Sequence, residues 1–214
     1  MIDFISTVKQ SYEVKNRDLG QYAVIKKKGM KFNISGYEVA GIGNISTMQM
    51  SAMFGLMKMR MLVFTPLNVD APLFSYDYIN AMGNETLLLE LYNTQLNDID
   101  VSALDAVKAG FSNLPDHDLG THWYDHLKMS ASLAKKSKKV TAEYEQLVAE
   151  YFQAYIDLLQ NAPVCDRSEK QEKVREYTNG LLKNGGPSTD QFKNMIGEEA
   201  TRDLFTKYIF SSDC

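Results

Sequence analysis

The sequence predicts an α+β fold, an α/β/α sandwich in which helices flank a central antiparallel sheet. Hydrophobic residues follow a strand-like pattern over residues 22–96 and a helical pattern after residue 97 of the 214-residue chain. The predicted strands are joined by short turns rich in glycine, asparagine and proline, which suit antiparallel neighbours better than helical crossovers. A run of strands followed by a run of helices is typical of the α+β class.

The chain begins with a predicted amphipathic helix from residue 2 to about residue 14, where apolar side chains recur at helical spacing. The strands that follow alternate or run apolar, and each is bounded by turn residues. They span residues 31–39, 45–53, 56–65, 73–81 and 86–92. A last strand is predicted at residues 127–133, which gives a sheet of about six strands.

The second half of the chain is predicted to be mainly helical. Helical patterns span residues 102–110, 141–160, 168–183 and 188–208, and the last two are separated by Asn184-Gly-Gly-Pro187. We expect the helices of residues 141–160 and 168–208 to pack on one face of the sheet and the N-terminal helix on the other. No repeat or interdomain linker is visible, so residues 1–214 are predicted to form one domain.

Composition narrows the class of protein. The net charge of −4 argues against nucleic acid as a partner. The first residues lack the basic and apolar regions of a signal peptide, and no apolar run reaches the ~20 residues that span a bilayer, so no membrane partner is expected. Two cysteines, Cys165 and Cys214, support neither a disulfide framework nor a cysteine-ligated iron–sulfur cluster. The sequence therefore predicts a soluble, cytoplasmic protein.

One carboxylate lies inside an apolar strand that follows a proline-rich turn. Asp77 is flanked by Tyr76, Tyr78 and other apolar residues, and an ionised aspartate is rarely buried without a partner. Burial would raise its pKa and keep a proton on it near neutral pH, which is the property of a proton donor. The alternative is a structural aspartate that caps a turn or pairs with a nearby arginine.

The common catalytic motifs are missing. The sequence contains no dinucleotide fingerprint, no P-loop and no nucleophile elbow. Three histidines, His117, His122 and His126, cluster with aspartates, and a metal site is conceivable there. A solvated loop is the favoured interpretation, because no second ligand cluster accompanies them, and we predict no metal.

Methionine and lysine are unusually distributed. Six methionines crowd two neighbouring predicted strands and either fill the core or line a pocket for a large, flat, conjugated ligand. They are Met48, Met50, Met53, Met57, Met59 and Met61. Lysines cluster at residues 26–28 and 135–139, and these clusters either attract an acidic partner or are solvated loops.

The segment Asp70-Ala-Pro-Leu-Phe-Ser-Tyr-Asp77-Tyr-Ile resembles a motif of the ferredoxin-dependent bilin reductases, D-x-P-[IL]-F-G-x-D-[LI]-[VI]. Residues 197–210 are similar to the family's closing motif, and the order of helices also fits. The resemblance covers residues 37 to 210 in a patchy way. In that family the last aspartate of the first motif is the central proton donor beneath the bilin, so the resemblance implies this role for Asp77.

The sequence also departs from the family pattern. Arg60 occupies the strand position where some members carry a second catalytic histidine. The His-x-Glu pair of the phycocyanobilin-forming branch has no counterpart, because residues 46–49 are Ser-Thr-Met-Gln. Asn184-Gly-Gly-Pro187 replaces the family's second aspartate.

The resemblance implies reduction of biliverdin, or a related linear tetrapyrrole, by proton-coupled one-electron steps. Reduced ferredoxin is the implied external electron donor, with no bound cofactor, and the bilin is expected between the sheet and the C-terminal helices. Asp77 and Arg60 are the predicted catalytic residues, with Arg60 either stabilising the reduced bilin or pairing with Asp77. The predicted substrate-binding residues are Met48, Met50, Tyr76, Tyr78, Lys135 and Lys136. The alternatives are a non-catalytic binder of tetrapyrroles or haem-breakdown products, and an unrelated α+β domain with another ligand.

Overall fold

A computed structural model describes residues 2–213, which contain an eight-stranded antiparallel sheet with helices on both faces. This confirms the predicted α+β sandwich. The strands are β1 (Val14–Arg17), β2 (Val24–Lys27), β3 (Met30–Val39), β4 (Gly43–Ala52), β5 (Met57–Pro66), β6 (Leu73–Ala81), β7 (Asn84–Tyr92) and β8 (Leu133–Lys138). Their order is β1-β3-β4-β5-β6-β7-β8, and β2 also pairs with β3. The long central strands β4 to β7 are therefore sequential neighbours.

The helices are α1 (Phe4–Lys9), α2 (Ser102–Gly110), α3 (Thr141–Asn161), α4 (Arg167–Asn184), α5 (Pro187–Ile196) and α6 (Glu198–Asp203). A π-helical segment, Leu204–Ile209, continues from α6. The predicted helix at residues 188–208 is thus three consecutive pieces. Within residues 2–213, no helix combines the length and the apolar character needed to cross a bilayer.

The turn between β6 and β7 fixes the register at the centre of the sheet. Met82 and Gly83 both have positive φ angles, 51° and 81°, as a two-residue hairpin turn requires. Ala81 therefore pairs with Asn84, and counting back along the ladder sets Asp77 opposite Leu88. On the other side, β5 places Met61 opposite Asp77.

Side chains alternate across the sheet and build two apolar cores. The face covered by α1, α2 and α3, which we call the α3 face, buries Ile45, Leu62, Phe64, Phe74, Tyr76, Leu87, Leu89 and Leu91. The opposite face, covered by α4, α5, α6 and the π-helical segment, is the α4 face. It buries Phe32, Ile34, Met48, Met50, Met59, Met61, Val63, Leu73 and Tyr92.

The predicted distribution of the helices over the two faces is wrong for α3. This helix lies on the same face as α1, where the rings of Phe4 and Phe152 have centroids 4.8 Å apart. After α3 the chain passes around the end of the sheet, where Asp70 N donates to Pro163 O at 2.8 Å. It then forms α4 on the other face. The prediction failed because a helix with one apolar stripe fits either face equally well.

The predicted last strand at residues 127–133 is also wrong. Asp125–Leu127 is a 3₁₀ turn, and β8 begins only at Leu133 and continues into the lysine cluster. A lysine-rich sequence is typical of a solvated loop, but here it forms the last strand of the sheet. Its outer edge meets residues 115–117, where Lys136 N donates to Pro115 O at 3.1 Å and His117 N donates to Ala134 O at 2.9 Å. The short strands β1 and β2 were not predicted, and α1 ends at Lys9 because β1 follows so soon.

Candidate functional site

Asp77 lies near the centre of the sheet and faces the C-terminal helices. Its neighbours across the ladder on the α4 face are Met61 on β5 and Leu88 on β7. The side chain is partly buried, and the hydroxyl of Ser75 donates to its Oδ2 at 3.4 Å. Asp77 is thus a recessed carboxyl group on an apolar strand, as the sequence predicted.

Burial raises the pKa of Asp77 to about 7, the negative charge of Glu90 raises it further, and the hydrogen bond from Ser75 opposes both. At neutral pH both the acid and the carboxylate are therefore well populated. A group in this state can give a proton to a bound molecule and regain it from solvent without a large free-energy cost in either direction. This is the strongest chemical signal on the α4 face.

A charged network lies beside Asp77. Lys128 Nζ lies 2.8 Å from Glu90 Oε1 and 3.1 Å from Asp125 Oδ1. The hydroxyl of Tyr92 donates to the other oxygen of Glu90 at 2.8 Å. Burial lowers the pKa of Lys128, but its hydrogen bonds and ion pairs with Glu90 and Asp125 together outweigh burial and raise it overall. The network therefore holds the carboxylate of Glu90, paired with the Lys128 ammonium, close enough to Asp77 to raise its pKa.

Aromatic rings and thioethers form the rest of the surroundings. Tyr177 of α4 packs on Tyr92 with ring centroids 4.5 Å apart. Burial raises the pKa of the Tyr177 hydroxyl, the hydrogen bond with Tyr92 opposes this rise, and the charges of Glu90 and Asp77 add to it. Met48, Met50 and Met61 are buried on the same face. Flexible thioethers and tyrosine rings adapt to a flat conjugated molecule.

A cavity of about 360 Å³ opens beside α4, and Tyr177 and Trp123 contribute to its wall. The indole Nε1 of Trp123 donates to Gly185 O at 2.9 Å, which ties the irregular segment before β8 to the end of α4. Tyr177 thus belongs both to the wall of this cavity and to the surroundings of Asp77.

The structure does not bring the predicted site residues together on one face. Met48 and Met50 pack in the core of the α4 face, as Asp77 does, whereas Arg60, Tyr76 and Tyr78 line a cavity on the α3 face, to which Met48 also contributes. Arg60 pairs with Tyr78 across the ladder, not with Asp77. The prediction that Arg60 lies beside Asp77 is therefore wrong, because successive strand residues point to opposite faces.

The two predicted lysines also separate. Lys135 is buried, and its Nζ donates to Leu114 O at 2.9 Å and to Asp116 Oδ1 at 2.7 Å. Its ammonium holds the irregular segment after α2, so the prediction that it meets a substrate or an acidic donor is wrong. Lys136 is exposed and pairs with Thr86, in register with Ile79 of the α4 face. It remains a candidate for contact with an acidic partner.

Asp77→Asn should change the pH dependence of folding. An unfolded aspartate ionises near pH ~4, whereas folded Asp77 ionises at about 7. Between these values the folded state binds more protons, so the stability of the wild type falls as the pH rises from ~4 to ~7. The variant should match the wild type near pH ~4 and exceed it by roughly 2 to 4 kcal/mol at pH ~8. Urea unfolding at both pH values measures this, and an unchanged pH profile would contradict the raised pKa.

Sequence reasoning missed Glu90, Tyr92, Lys128 and Tyr177. Glu90 gave the same signal as Asp77, a carboxylate in an apolar strand, between Leu89 and Leu91. Lys128 gave none, because it lies in an irregular segment whose path depends on the tertiary fold. His122, considered above as a metal ligand, stacks on Tyr124 with ring centroids 5.0 Å apart. Among the residues that the structure describes, no cluster of histidine, cysteine and acidic side chains could hold a metal ion.

Comparison with known proteins supports the fold. No protein-family model matches the chain, and no curated protein matches it in sequence. Among solved structures it is similar to phytochromobilin synthase from tomato, crystallised in complex with biliverdin, with a TM-score of 0.80 and 14% sequence identity. The match covers 98% of this chain and 80% of that chain. The chain therefore shares its fold with this enzyme over nearly its whole length.

Proposed function

We propose that this chain binds biliverdin, or a related linear tetrapyrrole, against the α4 face and reduces it with protons supplied by Asp77. The observation that carries the proposal is the raised pKa of Asp77, about 7, at the centre of a sheet whose fold matches an enzyme crystallised with biliverdin. A proton donor with a pKa near the working pH suits general acid catalysis.

The α4 face offers the contacts that a linear tetrapyrrole needs. Its pyrrole rings would pack against Met61 and Tyr177, and its N–H groups would lie near Asp77. The neighbouring cavity has a volume of about 360 Å³, which is too small for the whole pigment. Binding therefore requires side chains of the α4 face to move, and unbranched methionines do this at low cost.

Reduction of one double bond takes two electrons and two protons. In this proposal the electrons come one at a time from an external donor of the ferredoxin type, and the protein uses no bound redox cofactor. Asp77 gives a proton to the one-electron-reduced pigment, becomes a carboxylate, and is reprotonated from solvent through its partly exposed side. Glu90 disfavours ionisation of Asp77, while Lys128 limits this effect by pairing with Glu90. Arg60 has no part in this step, because it lies on the other face.

A second candidate function is binding of a tetrapyrrole without reduction. It is favoured by the neighbours of Asp77 across the ladder, Met61 and Leu88, because neither side chain can supply a second proton. In this case Asp77 would only accept hydrogen bonds from pyrrole N–H groups.

Absorbance spectroscopy separates the two functions. We expect a red-shifted biliverdin band when the pigment is mixed with the protein, and loss of that band after reduced ferredoxin is added. A stable shifted band in the presence of reduced ferredoxin would favour the binding function. No spectral change at micromolar protein would contradict both.

Lys136→Glu should slow reduction at low salt by weakening the encounter with an acidic donor. Lys136 is exposed at the sheet edge on the same face as Asp77, two strands away. Charge reversal at such a position lowers association rates by about tenfold at low ionic strength, and salt removes the difference. Lys15→Glu on β1, at the opposite edge of the sheet, is the matched control and should leave the rate unchanged. Equal rates for Lys136→Glu and wild type at low salt would exclude this surface from donor contact.

A further inference from the structure

A second cavity, larger than the one beside α4, lies on the α3 face, on the opposite side of the sheet from Asp77. It has a volume of about 530 Å³ and lies between the central strands, α1 and α3. This volume is within the range of sites that bind small molecules, about 300 to 1,000 Å³. The proposed function makes no use of this space.

Arg60 projects into this cavity without a protein partner. It is partly buried, and its neighbours across the ladder, Gln49 and Tyr78, are neutral. Within residues 2–213, no carboxylate lies within 4.0 Å of its guanidinium and no hydrogen bond to it is formed. Burial raises the pKa of the neighbouring Tyr76 hydroxyl, and the charge of Arg60 opposes this rise. A guanidinium presents planar donors that fit a carboxylate in a bidentate way. Arg60 is therefore an open anion-binding group.

A second polar group in the same cavity is also unsatisfied. Tyr144 of α3 is 2% exposed, and among the described residues its hydroxyl has no hydrogen-bond partner. Burial raises the pKa of Tyr144 to about 12, so the hydroxyl keeps its proton and remains a donor. Buried hydroxyl groups normally have partners, so a hydroxyl in a cavity wall with no protein partner is a donor that a bound ligand can use.

The other residues that line the cavity determine the shape and the charge of the ligand that fits. The rings of Phe4 and Tyr76 pack with centroids 4.8 Å apart, and both line the cavity. Aromatic walls favour a flat apolar body. Asp3, Lys58 and Glu145 also contribute to the lining, and these charges of both signs favour a ligand with one charge over one that carries two, such as a phosphate ester.

We propose that the α3-face cavity binds a small aromatic monocarboxylate, whose carboxylate pairs with Arg60 and whose ring packs against the exposed edges of the Phe4–Tyr76 pair. The site is independent of bilin chemistry, since the sheet separates it from Asp77.

Calorimetric titration of the full chain with phenylacetate tests the proposal, and phenylacetamide serves as the uncharged probe of the same shape. We expect wild type to bind phenylacetate at least about tenfold more tightly than phenylacetamide, and Arg60→Met to lose at least about tenfold in affinity. Arg60→Lys keeps the charge but loses the planar pair of donors, so its affinity for phenylacetate should lie between those of wild type and Arg60→Met. Arg202→Gln is the matched control, because Arg202 is exposed on α6. This variant should bind phenylacetate with the affinity of the wild type.

Amide NMR spectra locate the probe, and phenylacetate should shift the signals of Gln49, Arg60 and Tyr78. Three results would overturn the proposal: no heat and no shifts at about 10 mM phenylacetate, equal affinity for the acid and the amide, or wild-type affinity in a folded Arg60→Met. If Arg60→Met does not fold, two measurements still test the proposal: the affinity of Arg60→Lys, and the difference in wild-type affinity between the acid and the amide.

Discussion

Asp77→Asn should bind biliverdin with an affinity close to that of the wild type and fail to complete its reduction. Asparagine has nearly the same shape as aspartic acid, so the contacts of the α4 face are kept. The amide has no proton to donate at any accessible pH, and a positioned general acid contributes about 10²- to 10⁴-fold to a rate. Stopped-flow absorbance after mixing with reduced ferredoxin measures the loss, and we expect a one-electron-reduced pigment to accumulate.

Asp77→Glu is the control for this change. It retains a carboxylic acid beside Met61 and Leu88, displaced by one methylene group, so it should retain part of the activity that Asp77→Asn loses. Wild-type turnover in Asp77→Asn would end the catalytic assignment of this residue. Loss of pigment binding in Asp77→Asn would instead indicate a positioning role.

Lys170→Met should cause the largest loss of stability. Lys170 is fully buried in α4, and its Nζ donates to Ala71 O at 2.5 Å and to Thr94 O at 2.7 Å. It also lies 3.8 Å from Asp70 Oδ1. Burial lowers the pKa of Lys170 to about 8, and the charge of Asp70 opposes this shift, so the group is mostly charged at pH 7. Lys170 therefore connects α4 to the residues just before and just after the β6–β7 hairpin.

Removal of Lys170 leaves Asp70 buried without its cation. The carboxylate of Asp70 accepts from Leu96 N at 2.7 Å and from Asn97 N at 3.0 Å, so it cannot turn to solvent. Loss of one partner of a buried ion pair costs about 3 to 5 kcal/mol, and denaturant unfolding measures this. Lys173→Met, one turn further along α4 with its side chain 48% exposed, should change stability by less than about 0.5 kcal/mol. Equal stabilities for the two variants would contradict the structural role of Lys170.

The central strands were predictable because local signals agreed with tertiary burial. Strand β6 was predicted at its observed bounds, Leu73–Ala81, since a proline turn precedes it and a Met-Gly turn follows it. The carboxylate of Asp77 stood out against this apolar strand, and the structure gives it the raised pKa that burial implied. Helices α2 and α4 were also predicted within a residue of their observed ends, because their helical patterns have clear boundaries.

The sequence does not predict which face of the sheet each side chain occupies. The connection between β5 and β6 sets Phe64 opposite Phe74, which places Met61, and not Arg60, opposite Asp77. A register shift of one residue moves every side chain of a strand to the other face, and the sequence does not reveal how residues 67–72 fold. The prediction therefore places Arg60 in the wrong cavity.

Buried lysines were invisible to sequence reasoning. Lys135 belongs to a lysine cluster and Lys170 to a strongly charged helix, and both contexts predict exposure. Their burial depends on backbone carbonyls and carboxylates from distant segments, Asp116 for the first and Ala71, Thr94 and Asp70 for the second. Only the tertiary structure brings these groups together.

The most direct test of Asp77 as the group that meets the pigment is a pH titration of the absorbance of bound biliverdin. If Asp77 lies against the pyrrole nitrogens, the spectrum of the wild-type complex should titrate near pH 7, the pKa of about 7 found for this carboxyl. The complex with Asp77→Asn should lack this transition. The same transition in both complexes, or none in the wild type between pH ~5 and ~9, would contradict the account.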